Sequence, residues 1–272
     1  MSTITKQDKL EVLIESLKEL EPFVIAFSGG VDSTFLTAAA QQAEVEFEAV
    51  TVSTPFVPEL EIEAVNQLVA SLGFQHHLLE IEFDKLGEAL ANTAERCYHC
   101  KKVIFSRILA YADGRTVIEG SNLDDTGDYR PGRKALQELG VKSPLLNASL
   151  SKKEIRDLSK EMELPTWNKP SLSCLATRVA YNTPITREEL EKIDLAEELL
   201  RHNGFEHFRV RDHANLARIE IAQAERSKIL DLSLMDKISA KLKQLGFRYV
   251  TLDLAAYQSG SMNKEIMADQ DE

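Results

Sequence analysis

A short run after the first apolar segment combines two glycines with hydroxyl and carboxylate side chains. It reads S-G-G-V-D-S and directly follows the apolar run FVIAF. Glycines in a strand-to-helix turn let a ligand approach the backbone, and the amides at a helix start attract anions. Ser28 and Ser33 add hydroxyl donors beside Gly29 and Gly30, and Asp32 can hold the Mg²⁺ that accompanies a nucleotide. The run predicts a phosphate site without a Walker lysine, and a tight turn of no chemical role is the alternative.

The three cysteines are the second group of residues that can do chemistry. Cys97 and Cys100 form a C-x-x-C pair, so one helical turn brings both sulfurs toward one centre, and Cys174 follows much later in the chain. The spacing alone leaves three interpretations open. They are a [4Fe–4S] cluster held by three thiolates, a structural zinc site completed by a histidine such as His99, and thiols that are buried or cycle as a disulfide.

Length, composition and charge restrict the class of protein. The chain has 272 residues and is 43% hydrophobic, enough for one large domain or two modest ones. No apolar stretch approaches the length of a membrane span, and the amphipathic N-terminus does not have the pattern of a signal peptide. We therefore expect a cytoplasmic protein. The net charge of −12 disfavours a nucleic-acid partner on electrostatic grounds, with a local basic groove as the alternative.

The elements that must position these residues alternate between strands and helices over residues 1–165. The runs FVIAF, FEAVTVS, HHLLEIE and TVIEGSN predict four strands with helices between them, and KSPLLN predicts a short fifth strand. Regular alternation of this kind predicts an α/β domain with a doubly wound parallel sheet covered on both faces. The S-G-G-V-D-S run would then leave the first strand at the carboxyl edge of the sheet.

A different pattern follows this domain. The stretch PTWNKPSLSCLATRVAYNTP contains three prolines and no periodicity, which indicates that residues 166–185 are a connecting loop that carries Cys174. Residues 186–261 predict the order helix, strand, strand, helix, strand, which is typical of a small α+β domain, here with an antiparallel sheet. We expect residues 262–272 to be a disordered tail.

The S-G-G-V-D-S run resembles the PP-loop of the ATP pyrophosphatase superfamily. That resemblance implies an adenine-nucleotide α-hydrolase-like fold and an enzyme that cleaves ATP between its α- and β-phosphates. By comparison with relatives it also implies that Ser53 contacts the nucleotide. The segment EGSNLDDTGDYRPG would line the nucleotide through Gly120, Asn122 and Asp125, with a charged surface loop as the alternative.

Longer stretches resemble the LarE family, the ATP-dependent sulfur transferases of nickel-pincer nucleotide cofactor biosynthesis. They are GDYRPGR, PSLSCLATR, FRVRDHANLARIEI and YQSGSMN, and with the PP-loop they cover nearly the full chain. The resemblance implies that a carboxylate of pyridinium-3,5-biscarboxylic acid mononucleotide is adenylylated and then converted into a thiocarboxylate. Cys174 matches the sulfur-donor cysteine, which single-cysteine members sacrifice. Because Cys97 and Cys100 are also present, the resemblance implies a [4Fe–4S] cluster on all three, with sacrificial transfer as the alternative.

Two arginines complete the predicted site. Arg209 and Arg211 alternate along a predicted strand and therefore share a face. The resemblance implies that they bind the phosphate of the substrate, and a solvated strand face is the alternative. Glu220 matches a metal ligand of the family less closely. The resemblance also implies a homo-oligomer, a hexamer, and leaves the sulfide donor unidentified.

Other functions compete with sulfur transfer to a mononucleotide. A PP-loop tRNA thiolase would share the loop and the cluster but would need a basic face, which the negative charge disfavours. An ATP-sensing module without turnover would not need the intact loop. An amidotransferase-type synthetase would need ammonia from solution or from a partner chain, because we find no glutaminase segment.

Overall fold

A computed structural model describes residues 4–126, 131–170 and 173–258. The tail predicted at 262–272 lies outside these residues. The chain divides into two compact units, Met1–Ala89 with Cys97–Leu172, and Leu90–Arg96 with Ser173–Glu272. The domain limits expected from the sequence stay a prediction. No pattern in the sequence indicated that Leu90–Arg96 belongs to the second unit. Within the described residues, every helix is too short or too polar to cross a membrane.

The first unit contains a parallel sheet with strands in the order β3-β2-β1-β4. The predicted doubly wound α/β sheet is confirmed, since the chain builds outward from β1 in both directions. A crevice therefore forms at the carboxyl ends of β1 and β4, where ligands bind in such sheets. The strands are β1 (Phe23–Ala26), β2 (Phe47–Ser53), β3 (His76–Glu80) and β4 (Thr116–Ile118). The helices are α1 (Lys6–Leu20), α2 (Val31–Gln42), α3 (Glu59–Leu72), α4 (Arg96–Ala112), α5 (Pro131–Glu138), α6 (Pro144–Asn147) and α7 (Lys152–Glu161).

Helices cover both faces of this sheet. Phe23 and Ile25 of β1 are buried against α1, α2 and α7, whereas Val24 between them is buried on the opposite face against α4. This alternation is the two-residue period of a strand, and both sets are apolar because both faces are covered. The sheet is therefore a fixed platform for the loops at its carboxyl edge.

The predicted fifth strand is wrong. Its residues 144–147 form the short helix α6, and only Lys142 pairs with the sheet, through a single bridge to Ile118. Pro144 explains the difference, because proline lacks the N–H that a strand ladder needs and its fixed φ suits the first turn of a helix. Leu145 is then buried against the same core as α1 and α7.

The second unit contains a mixed sheet of three strands in the order β5-β6-β7. A hairpin with positive φ at Ala214 and Asn215 makes β5 and β6 antiparallel. The expected all-antiparallel sheet is wrong, because helix α9 crosses between β6 and β7 and returns the chain parallel to β6. The elements are α8 (Arg187–His202), β5 (Phe208–His213), β6 (Leu216–Ile221), α9 (Leu232–Gln244) and β7 (Tyr249–Leu252).

Candidate functional site

The loop between β1 and α2 lies at the carboxyl edge of the parallel sheet. Gly30 caps α2, so the unpaired amides of the first helical turn face the loop. Gly29 has a φ of +65°, and a Cβ atom at this position would lie 2.7 Å from Cγ2 of Val65. Glycine is therefore required at position 29 both for the backbone conformation and for space.

Two hydroxyl groups are arranged at the start of α2. The Ser28 N–H donates to Oγ of Ser33 at 3.2 Å, and the two Oγ atoms are also 3.2 Å apart. Both serines line a cavity, and the amides of the helix start add partial positive charge. This arrangement of donors is suited to bind a phosphate group.

Asp32 makes two polar contacts that tie separate parts of the first unit together. Its Oδ2 accepts from Nζ of Lys152 at 2.5 Å, and its Oδ1 accepts from Nδ2 of Asn122 at 3.3 Å. Lys152 is the first residue of α7, whose start is fixed by a capping box of Ser151 and Glu154. A Mg²⁺ ion at Asp32 would therefore compete with the Lys152 ammonium.

Two lysines near this loop were not predicted from the sequence. Besides Lys152, Lys169 donates to the Gly29 carbonyl at 3.2 Å and to Oε2 of Glu61 at 3.1 Å. Both bring positive charge to a loop that has no Walker lysine. The two stretches around them, SKKEI and WNKPS, carry no local signal of this role, since their contacts span 120 and 140 residues.

A cavity of about 370 Å³ opens beside the loop. Five predicted ATP-binding residues line it, namely Ser28, Asp32, Ser33, Gly120 and Asp125. Four others are absent from its lining, namely Gly29, Gly30, Ser53 and Asn122. On β2 the cavity is lined by Thr51 and Val52 rather than by Ser53, whose carbonyl accepts from Ile81. Gly120 is needed for close approach, because a Cβ there would lie 3.1 Å from the amide nitrogen of Ser33.

Helix α4 carries the C-x-x-C pair and also borders this cavity. Lys101, Ile104, Phe105 and Ile108 of α4 line the cavity. The pair lies in the first turn of the same helix, where positions three and four residues apart share a face. Cys97 is exposed and Cys100 is half-buried. The same helix therefore carries both the cysteine pair and part of the cavity lining.

Cys174 belongs to the second unit and precedes the short 3₁₀ helix Leu175–Arg178. Its side chain is half-buried. The backbone carbonyls around it accept hydrogen bonds from the buried side chains of Arg96, Arg178 and Arg211. The loop is therefore held by charged donors on its backbone.

The two predicted substrate arginines are both buried on β5. Arg209 is 9% exposed and Arg211 is 5% exposed, so the alternative of a solvated strand face is wrong. Arg211 pairs with both carboxylate oxygens of Glu220 at 2.8 Å, and Arg218 also donates to this carboxylate at 2.9 Å. A metal ion at Glu220 would have to displace these guanidinium groups, and its role as a ligand stays a prediction.

Arg209 has a different environment. Its guanidinium lies 4.7 Å from the centre of the Tyr257 ring and donates to the Phe208 carbonyl. Within the described part of the chain, no carboxylate forms an ion pair with it. Burial, and next the positive charge of Arg178, lower the pKa of Arg209 below its usual range. A bound anion would relieve this unfavourable burial of charge.

The described residues do not bring the predicted metal ligands together in one group. Among residues 4–126, 131–170 and 173–258, no three Cys, His, Asp or Glu side chains are grouped so that they could hold a metal ion. His99, the candidate zinc ligand, lies with Nδ1 2.9 Å from Oε2 of Glu88. The cluster on Cys97, Cys100 and Cys174 therefore stays a prediction.

Comparison with known proteins identifies the family. Residues 11–109 match the asparagine synthase family. An uncharacterised protein of Synechocystis is 37% identical over 95% of this chain and 98% of its own length. One from Methanocaldococcus jannaschii is 34% identical over 92% of this chain and 98% of its own length. The pyridinium-3,5-bisthiocarboxylic acid mononucleotide synthase of Lactiplantibacillus plantarum is 34% identical over 95% of both chains. The chain therefore belongs to the LarE family of PP-loop enzymes, the family of that synthase.

Proposed function

We propose that this protein is an ATP-dependent sulfur transferase acting on pyridinium-3,5-biscarboxylic acid mononucleotide. It adenylylates a carboxylate of this substrate and replaces one carboxylate oxygen with sulfur. The observation that carries the proposal is the cavity at the start of α2, in a chain that aligns over 95% of its length with a synthase named for the bisthiocarboxylic product.

The first step is adenylylation. A carboxylate oxygen of the substrate attacks the α-phosphorus of ATP, the bond to the bridging oxygen breaks, and pyrophosphate leaves with the electron pair. The amides of the α2 start and the hydroxyls of Ser28 and Ser33 are arranged to stabilise the negative charge that develops on the leaving group. Asp32 would hold Mg²⁺, and Lys152, displaced from Asp32, would neutralise a phosphate oxygen.

The second step is sulfur transfer. A carboxylate resists attack by a sulfur nucleophile, whereas the acyl adenylate has AMP as a good leaving group. The sulfur attacks the carbonyl carbon, the bond to AMP breaks, and a thiocarboxylate remains. Cys97, Cys100 and Cys174 would hold a [4Fe–4S] cluster, which when bound supplies an iron with an open position for a sulfide. The C-x-x-C pair supports this assignment for two of the three ligands, because both cysteines lie on one turn of α4.

The substrate also carries a phosphate, and Arg209 is the side chain best suited to bind it. It is a buried guanidinium to which no carboxylate of the described residues is paired, and burial lowers its pKa. A phosphate would supply the missing negative charge through charge-assisted hydrogen bonds. By family resemblance Arg211, which Glu220 orients, would contact the same phosphate.

The test is a count of product per enzyme under anaerobic conditions. The protein is reconstituted with iron and sulfide and supplied with ATP, Mg²⁺, the mononucleotide and further sulfide. We expect several turnovers, which are lost in Cys97→Ala, Cys100→Ala and Cys174→Ala while pyrophosphate release is retained. A single turnover that leaves dehydroalanine at 174 and is indifferent to Cys97→Ala would instead establish sacrificial transfer. Absence of any thiocarboxylate product with the wild-type protein would reject the proposed function.

Two further properties can be tested, namely the oligomeric state and the binding of tRNA. By family resemblance we infer a homo-oligomer, a hexamer, which light scattering of the purified protein measures directly. A tRNA thiolase would instead bind bulk tRNA, so a gel shift at moderate salt separates the two functions. We expect no shift, because the net charge of −12 opposes association with a polyanion.

A further inference from the structure

Four backbone carbonyls of the loop that carries Cys174 accept hydrogen bonds from arginine side chains. The Ser173 and Cys174 carbonyls accept from Arg178, at 2.8 Å and 3.0 Å. Further along, the Ala176 carbonyl accepts from Arg96 at 3.1 Å and the Thr177 carbonyl accepts from Arg211 at 2.6 Å. Buried guanidinium groups therefore fix both ends of the short helix that starts after Cys174.

Arg178 is the member of this set that contacts the cysteine residue itself. Its Nη1 also lies 2.8 Å from Oγ of Ser173 and 3.0 Å from Oγ1 of Thr177. The Thr177 hydroxyl in turn donates to the Cys174 carbonyl at 2.8 Å. The backbone of Cys174 is thus bound directly by Arg178 and again through Thr177, which restricts the direction of its Cα–Cβ bond.

Glu197 of α8 fixes the orientation of Arg178. The two side chains form a bidentate pair with both distances at 2.9 Å, and each is 3% exposed. The same carboxylate accepts from the Val210 N–H of β5 at 3.1 Å. One buried carboxylate therefore joins the Cys174 loop, α8 and β5 in a single arrangement.

A buried ion pair of this kind is a weak source of net stability, because desolvation offsets much of the attraction between the charges. Its main consequence is geometric, since a bidentate pair permits only one orientation of the guanidinium plane. We propose that Arg178, oriented by Glu197, is the positioning residue that presents Cys174 for sulfur transfer. This inference rests on the proposed function of Cys174 as the residue at which sulfur is delivered.

The kinetic test uses Arg178→Lys and Glu197→Gln in the full-length protein, with Arg178→Ala as the more severe change. Lysine can still donate to the carbonyls but cannot form the bidentate pair, so it should retain more activity than alanine. We expect the kcat of thiocarboxylate formation to fall at least about tenfold in Glu197→Gln, because small misplacements of a reacting group cost this much. The KM for ATP should stay unchanged, because the loop proposed to bind ATP belongs to the other unit.

A second measurement does not depend on the reaction. The apo protein is treated with iodoacetamide, and alkylation of each cysteine is followed by peptide mass spectrometry. We expect the rate of Cys174 alkylation to rise at least about threefold in Arg178→Lys and Glu197→Gln. The reason is that the intact loop holds this thiol half-buried. Cys97, in the other unit, is an internal reference whose rate should not change, and Arg201→Lys is a matched control away from the loop.

The two measurements separate the possible failures. If folded Arg178→Lys and Glu197→Gln both keep the wild-type alkylation rate at Cys174 and the wild-type kcat, the positioning role is rejected. If the wild-type protein forms no thiocarboxylate, the proposed function fails, and the alkylation rates still decide whether Arg178 sets the geometry of Cys174. Thermal unfolding of each variant identifies one that does not fold, and the remaining variant then decides the question.

Discussion

The PP-loop and the Cys174 loop are built on opposite principles. Around the PP-loop, glycines and helix amides form the surface, and the charged pair of Asp32 and Lys152 is partly open, with side chains 23% and 33% exposed. Around Cys174, the charged pair of Arg178 and Glu197 is buried at 3% exposure. A site whose ligand enters and leaves needs charges that can exchange partners with it. A loop that must aim one side chain is better served by charges that cannot rearrange.

The largest effect is expected for Asp32→Asn, which alters the partly exposed pair of Asp32 and Lys152. The substitution keeps the shape of the side chain but removes the charge that would hold Mg²⁺, so adenylylation should fall by about 100-fold or more. Pyrophosphate release in the presence of the mononucleotide measures this step. Asp157→Asn, which removes an exposed carboxylate of α7 paired with Lys153, is the matched control and should be silent. Normal pyrophosphate release in folded Asp32→Asn would remove Asp32 from the mechanism.

Arg209→Ala tests the second unit. Loss of a charge-assisted contact to the substrate phosphate should raise the KM for the mononucleotide about tenfold while the KM for ATP is unchanged. Arg248 is exposed and serves as the control, so Arg248→Ala should leave both constants at wild-type values. An unchanged KM for the mononucleotide in Arg209→Ala would show that this buried arginine has only a structural role.

Gly29→Ala tests why glycine is required at position 29, whether for its positive φ or because Val65 leaves no space for a Cβ atom. Positive φ alone should cost about 1 kcal/mol of unfolding free energy, and the contact with Val65 should add about 1–3 kcal/mol. Gly73→Ala is the matched control, because Gly73 has a φ of +68° and no atom within 4 Å of the added Cβ. Urea unfolding measures both variants.

A second substitution separates the two contributions at Gly29. Val65→Ala removes the methyl group that lies 2.7 Å from the added Cβ, so combining it with Gly29→Ala should recover the steric part of the loss relative to Val65→Ala alone. Equal losses in Gly29→Ala and Gly73→Ala would instead mean that space at position 29 is irrelevant.

The smallest expected effect concerns the start of α7, which carries Lys152. Burial alone would raise the pKa of Glu154, but the Lys9 ammonium and the Ser151 amide and hydroxyl lower it to about 2. The stabilisation is therefore complete above the unfolded pKa of about 4.5 and is lost as pH falls toward 2. Allowing for partial solvent screening, Glu154→Gln should remove about 1–2 kcal/mol of this acid-dependent stability.

Unfolding free energies measured at several pH values below 5 test this expectation. The wild-type protein should lose stability over this interval more steeply than Glu154→Gln, and the two curves should approach each other at the acid end. Glu161→Gln, at the exposed end of the same helix, is a suitable comparison. Parallel curves for wild type and Glu154→Gln would mean that this carboxylate does not contribute to acid sensitivity.

Local patterns in the sequence were sufficient for the parallel sheet and the PP-loop. Strands β1, β2 and β4 contain short apolar runs with buried residues, whereas β3 lies at the edge of the sheet and has none. S-G-G-V-D-S adopts the expected turn because its glycines and its helix start act within a few residues. The errors arose where one residue or one connection decided the outcome. Pro144 converted the expected fifth strand into a helix, and the α9 crossover made β7 parallel to β6.

The sequence by itself therefore determined the fold class, the PP-loop and the family. Only the tertiary structure revealed Lys152 and Lys169 beside the loop, and the pair of Arg178 with Glu197 beneath Cys174. The reason is physical. A turn motif is specified by the φ values and amides of adjacent residues, whereas the partner of a charged side chain depends on which distant elements pack together and how deeply they exclude water. A lysine or arginine has the same local pattern in either case, and its burial decides what it does.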